Sequence, residues 1–332
     1  MGKKLVILVT CAMMLLTLGV VDASAQKIFR VGMGDPIDSD QGALAKRFKE
    51  VVEGLSNGEI EVQLFPGGIL GPETEMLQSV RMGTLDFAFV AVGNMAPFVP
   101  QLAALSYPYL IETHYDAVKA TTGYLGEYWN QFTREKGGFE IIGWTYSNFR
   151  HITNSRRAVN SLEDLKGLKI RVPQNRVILG AFNAWGANPV PMAWTETFTA
   201  MQQRVVDGQE NPYIVNYTMK FHEIQNYLTE THYQYSLQPL IVGVNTLKKF
   251  DDKTRNLFYR AGIEAQQYCI VFQILEAENA KKAMQAAGME VSYLKDEEQW
   301  KKIAIEKVYP EFYEFVGGKE VIDTMIKHLG KN

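Results

Sequence analysis

The chain is short of cysteine, of catalytic signatures and of any excess of one charge. Two cysteines occur in 332 residues. Cys11 falls in an N-terminal leader, so the exported chain keeps Cys269 alone and no intrachain disulfide is expected. Cys269 lies among Tyr268, Ile270, Val271 and Phe272 and reads as a small buried hydrophobe. A lone cysteine excludes a CxxC site, and His114, His151, His222, His232 and His328 show no HExxH or other metal spacing. A Gly-x-Ser-x-Gly elbow and a Walker loop are also missing. Gly32-Met-Gly34 is half of a dinucleotide fingerprint, without the third glycine or an immediate helix, and reads as a strand end beside a ligand cleft. Glu297-Glu298 reads as a solvated helix face. No cofactor, metal or catalytic machinery is expected. With 34 basic residues against 37 acidic ones there is no basic face to bind nucleic acid.

The longest apolar run is at the start. Lys3 and Lys4 precede Leu5–Val20, and Ala23-Ser24-Ala25 supplies the small-x-small pattern of a cleavage site. Residues 1–25 therefore read as a signal peptide cleaved after Ala25, and the protein as periplasmic. Removing 25 of 332 residues leaves 307; the leader's Lys3, Lys4 and Asp22 carry a net +1, so the chain's −3 becomes −4. No later run is long enough to span a bilayer, and the length suits two domains better than one.

Strand-like and helix-like segments alternate. Ile28–Gly34, Ile60–Phe65, Asp86–Val92 and Phe139–Tyr146 read as strands; Gln41–Leu55, Thr74–Met82 and His114–Lys136 read as helices. This rhythm predicts a largely parallel sheet with helices on both faces. It restarts near Ser147 with a strand from Ile152, a strand Leu168–Val172, a helix Arg176–Trp185, the extended Asn188–Pro191, and a helix Glu196–Val206 capped by Thr195. Asp251–Ala287 has no proline and one internal glycine, Gly262, with apolar residues at helical spacing. A helix of that length spans roughly 50 Å at ~1.5 Å per residue and would run along both lobes as a spine. The expected fold is α/β: a two-lobed binding protein with a hinged cleft and a long helix spanning both lobes. Lobe I would hold 26–147 plus about 237–275, and lobe II 148–236 plus about 276–332.

Arg171 carries the functional reading. It stands in Gly-Leu-Lys-Ile-Arg-Val-Pro (167–173), pointing away from its apolar neighbours Ile170 and Val172. The polar turn Asp-Gly-Gln-Glu-Asn-Pro (207–212) follows a helical stretch. A guanidinium meets a carboxylate with two parallel hydrogen bonds, which lysine cannot do. Arg150, in Asn-Phe-Arg-His-Ile-Thr-Asn (148–154), is a second candidate, either for the anion or as a strut that orients the hinge. Trp194 can wall a pocket or merely pack. Asn211 is held extended by Pro212.

In this order and spacing, Phe-Arg-His-Ile-Thr-Asn (149–154), Gly-Leu-Lys-Ile-Arg-Val-Pro (167–173), Pro-Met-Ala-Trp-Thr-Glu (191–196) and Val-Asp-Gly-Gln-Glu-Asn-Pro (206–212) resemble the TRAP transporter substrate-binding proteins of the DctP type. Leu-Phe-Pro-Gly-Gly-Ile-Leu-Gly (64–71) and the long late helix extend the resemblance over essentially all of 26–332. The resemblance implies a monomeric periplasmic receptor that passes its ligand to a sodium-driven carrier of one small and one large membrane subunit. It implies Arg171 as the carboxylate salt bridge, Arg150 as the second arginine, Asn211 beside the ligand, Trp194 as an aromatic wall, and Glu73 as a polar contact from the first lobe. The sialic-acid branch carries Asn where Gly34 stands and Glu near Ala91, so a nine-carbon acid is not expected. Asp35 and Asn94 are left to face a smaller hydroxylated acid, with Tyr235 and Gln238 near the second crossing between lobes. The expected ligand is a small organic acid anion (hydroxy, keto or sugar acid), or a sulfonate with the same pair of acceptor oxygens. A periplasmic enzyme on such an acid, or a sensory receptor for it, are the alternatives.

Overall fold

Apolar runs bounded by Gly, Pro and Asn turns set the strands. The computed structural model describes residues 26–331. The signal peptide, its cleavage after Ala25 and Cys11 lie outside the described residues. In chain order the strands are β1 (Lys27–Gly32), β2 (Ile60–Phe65), β3 (Phe87–Phe89), β4 (Phe139–Phe149), β5 (His151–Asn154), β6 (Lys169–Val172), β7 (Asn188–Pro191), β8 (Gly208–Asn211), β9 (Tyr227–Glu230), β10 (Tyr235–Gly243) and β11 (Glu290–Tyr293). They form two sheets, β2-β1-β3-β10-β4 and β11-β9-β5-β8-β6-β7.

Neither sheet is as parallel as the rhythm predicted. β1 runs parallel to β2 and β3, but β10 is antiparallel to β3 and β4. In the second sheet β5 is antiparallel to β8 and β9. The chain crosses between the sheets through Arg150 and again through Thr231–Gln234, where His232 takes φ +42°, and each crossing brings in a strand of opposite direction. The two crossings are stitched together: Arg150 N donates to Gln234 O at 2.9 Å, and Thr231 Oγ1 to Arg150 O at 3.0 Å.

The helices that position the site are α1 (Asp40–Leu55), α2 (Glu73–Met82), α3 (His114–Thr121), α4 (Gly123–Phe132), α5 (Arg176–Ala184), α6 (Thr197–Gln202), α7 (Tyr213–Thr218), α8 (Asp252–Ala286) and α9 (Lys319–Leu329). The single helix expected over His114–Lys136 is broken at Thr122, where the backbone turns extended, and Gly123 takes φ +56°. The expected Thr195 cap is not made. A 3-10 turn, Trp194–Glu196, precedes α6, and Thr197 Oγ1 bonds back to Ala193 O.

The spine is present. α8 is 35 residues long and capped by the Asp251 side chain. Its buried side recurs at three- and four-residue steps: Phe258, Ala261, Ala265 and Cys269 enter the core with Phe29, Phe48 and Phe87, whereas Ala277, Ala280 and Met284 pack with Tyr213, Ile214 and Leu228. Gly262 lets α8 lie directly on β4; a Cβ there would run into Ile142 O. Cys269 is fully buried, as expected. After β11 the chain returns, and α9 packs on α3, α4 and the Pro100–Ser106 turn beside the first sheet.

Candidate functional site

The site is assembled where the two sheets face each other. Ile170 and Val172 join the core around Trp185 and Phe182, and Arg171 between them turns the other way. It is only 2% exposed. Its Nε and Nη2 both donate to Met192 O, at 3.1 and 2.7 Å, and its guanidinium carbon lies 5.4 Å from the centre of the Trp194 ring. Arg171 forms no ion pair among the described residues, so Nη1 and the outer edge of the fork are unspent. Burial pushes its pKa down to about 10, with Arg150 adding to the fall and Glu210 and Glu73 opposing it. It is a buried cation on which Glu210 and Glu73 act without closing an ion pair.

The first sheet supplies the opposite wall. Gly34 follows β1, and a Cβ there would stand 3.1 Å from Glu73 Oε1 and 3.2 Å from Trp194 Cδ1. Glu73 opens α2 and accepts from Ala91 N at 2.9 Å and Asn94 Nδ2 at 2.7 Å. Burial raises its carboxyl pKa, against the pull of Asn94, Ala91 and the two arginines. Asp35 N donates to Gln41 Oε1 at 3.0 Å, and Gln41 Nε2 donates to Gln238 Oε1. The Asp35 carboxyl is held well above its usual range by burial, then by repulsion from Asp40 and Glu73; Gln238 and the Trp194 indole oppose the rise. Thr195 also reaches across, its Cγ2 2.7 Å from where a Cβ on Gly68 would sit. At the other end the Asn175 cap of α5 donates to Ser106 Oγ at 3.0 Å.

Six of the nine expected residues thus form one group: Arg171, Trp194, Glu73, Asp35, Asn94 and Gln238. Asn211 is on the neighbouring strand. β6 pairs Arg171 with Gln209 in parallel register, and Asn211 Nδ2 donates to Gln209 Oε1 at 2.6 Å. Arg150 is beside the group but already engaged: its Nε and Nη2 grip both carboxylate oxygens of Glu210, Nη2 also donates to Glu210 O at 2.8 Å, and Nη1 to Ser236 Oγ at 3.1 Å. Its pKa is raised, the pull of Glu210 outweighing burial. Tyr235 is turned elsewhere, its hydroxyl 2.6 Å from His114 Nδ1 and its ring edge-on to Phe149.

Residues 207–212, read as a polar turn, are largely a buried strand, β8, whose polar side chains are paired inside the protein. Glu210 was missed for that reason, and so was Tyr233, which donates to Glu210 Oε2 at 2.5 Å. Gln41 and the Met192 carbonyl were also missed. A backbone carbonyl leaves no sequence signal, and Gln41 reads as one more polar residue of α1.

The chain is similar to known proteins in both sequence and fold. A family model described as DctP, bacterial extracellular solute-binding protein, family 7, matches residues 32–315. The 2,3-diketo-L-gulonate-binding periplasmic protein YiaO of Escherichia coli is 34% identical over 271 residues, 80% of this chain and 81% of that protein. The sugar acid binding protein of Advenella mimigardefordensis, solved with galactonate, superposes with a TM-score of 0.88 at 29% identity, covering 92% of this chain and 98% of that one. A TRAP periplasmic solute binding protein from Polaromonas, solved with D-erythronate, gives 0.85 at 32% identity, covering 90% and 98%.

Proposed function

The chain belongs to the bacterial extracellular solute-binding proteins of family 7, the DctP family, and from that premise we propose that it is a periplasmic receptor for a small organic acid anion. The ligand's carboxylate sits on Arg171, and Trp194, Glu73, Asp35, Asn94, Gln238 and Asn211 line the remainder. Arg150 acts as the strut of the two crossings and lends its charge to the site. The lobes divide near residues 147 and 236, and the receptor closes by rotation about those crossings. Ligand touching both walls favours the closed form by its differential affinity for it. Export with cleavage after Ala25, action as a monomer and delivery to the small and large subunits of a TRAP membrane carrier complete the reading, which assigns no catalytic step.

The observation that carries it is the buried, unpaired guanidinium of Arg171. A charge out of water is costly without a partner, and a carboxylate entering from the cleft supplies that partner. A desolvated charge-assisted hydrogen bond is worth about 1.5–3 kcal/mol, so Arg171→Ala is expected to weaken binding at least about tenfold. Arg171→Lys, which keeps the charge and loses the fork, is expected to bind poorly too. Calorimetry with the ligand released from the denatured protein, identified by mass spectrometry, is the check. Equal affinity in the wild type and Arg171→Ala would overturn the reading.

A further inference from the structure

The group around Arg171 holds more buried acid than base. Asp35, Asp40 and Glu73 are all buried, and Asp40 from α1 and Glu73 from α2 both repel the Asp35 carboxyl. Arg150 is engaged by Glu210, which Tyr233 also reaches, so that pair brings no net charge. Arg171, against the ring of Trp194, is left as the counter-charge. With the three carboxyls ionised, three negative charges would face one positive charge, and an anion seated on Arg171 would make it four against one. Water and salt screen buried charges poorly. A buried carboxyl in such surroundings takes a proton instead of keeping its charge.

The three carboxyls are not supported alike. Asp40 opens α1, where the helix N-terminus favours an anion, and accepts from Ser147 Oγ. Glu73 opens α2 and accepts two N–H groups, from Ala91 and Asn94. Asp35 lies in the loop between β1 and α1, outside either helix. Burial raises its pKa first and the two neighbouring acids add to the rise, while Gln238 and Trp194, both neutral, oppose it. We propose that the receptor binds its anion together with a proton held by Asp35, one proton for each carboxylate that enters the cleft. This rests on the reading of Arg171 as the carboxylate anchor. The proton comes from solvent, and no bond of the ligand is made or broken. Because the anion adds a like charge, the occupied form keeps the proton to a higher pH than the empty form does. Affinity is therefore full below the pKa of Asp35 in the empty form and falls as pH rises toward its value in the occupied form.

The test uses the full exported chain, stripped of ligand by unfolding and refolding, and calorimetry from pH 6 to pH 8.5 in two buffers of different ionisation enthalpy. The difference in heat between the buffers counts the protons taken up. Glycerate, gluconate, lactate and pyruvate are the probes, monoacids that are ionised throughout and bring no proton of their own; the tightest binder is carried through the series. The range stays below the Arg171 titration at about 10, so the guanidinium remains charged. Toward the upper end the wild type is expected to take up about one proton per anion, its dissociation constant rising by about tenfold per pH unit. Asp35→Asn, which is neutral at every pH, should take up none and show an affinity that does not change across the range. The inference is overturned if the wild type takes up no proton at any pH of the series, or if Asp35→Asn takes up as many as the wild type. It is also overturned if sodium chloride in place of choline chloride, at equal ionic strength, restores the affinity lost at pH 8.5, because a metal cation would then be the partner. Failure of the anchor reading looks different: Arg171→Ala would bind the same acid as tightly as the wild type, with the proton still taken up.

Discussion

The two arginines of the site separate two uses of one side chain. Arg171 is buried without an ion-pair partner, and Arg150 is gripped by Glu210. Breaking a buried pair leaves an uncompensated charge and costs about 3–5 kcal/mol. Glu210→Gln should therefore lower the urea midpoint sharply, and the double change Arg150→Met with Glu210→Met should recover much of the loss, whereas Arg171→Ala should change affinity and leave the midpoint near wild type or above it. Asp35 gives a pH signature. Its carboxyl is raised above the unfolded value of 3.8, so the folded protein binds the extra proton, and stability is full at low pH and falls as pH rises through the folded value. Asp35→Asn removes that titration. Thermal melts of the ligand-free protein should show the variant above wild type at pH 8, with the gap closing toward pH 4.

Two glycines test how the helices are seated. Gly262 brings α8 onto the Ile142 carbonyl, while a Cβ on Gly54 in α1 would meet nothing within 4 Å. Gly262→Ala should destabilise by about 1–3 kcal/mol through overpacking, and Gly54→Ala should stabilise by roughly 0.5–1 kcal/mol through helix entropy; melting temperatures of opposite sign check both. The same helices show what a sequence reveals. α8 was legible within a residue or two at each end, because its apolar residues recur at helical spacing without a proline. Arg171 was legible because a guanidinium breaks an apolar strand. β8 was not, since Gln209, Glu210 and Asn211 look solvated until their partners are known. The partner of Glu210 is 60 residues away, and no local pattern encodes that pairing. The parallel sheets were misjudged for a related reason, since strand direction depends on which lobe a crossing enters.

At the scale of the molecule the halves are tied by more than a hinge. α8 contributes to a core on each side, and α9 returns to α3 and α4. Trp129 sits in the first half and Trp185 contacts Trp300 in the second, all three buried. Tryptophan fluorescence and far-UV circular dichroism are therefore expected to follow one coincident denaturant transition. Two separated transitions would mean that the halves unfold as independent domains despite the shared helix.

The solitary thiol described at the outset has a practical consequence. Cys269 is fully buried and its pKa is pushed up by burial, so the thiolate that reagents attack is scarce and enclosed. A cysteine introduced at exposed Thr195, which faces Gly68 across the cleft, would take up a maleimide dye alone. Its emission would then report the approach of the two walls, making the unmodified protein a ready scaffold for an optical sensor of its own ligand.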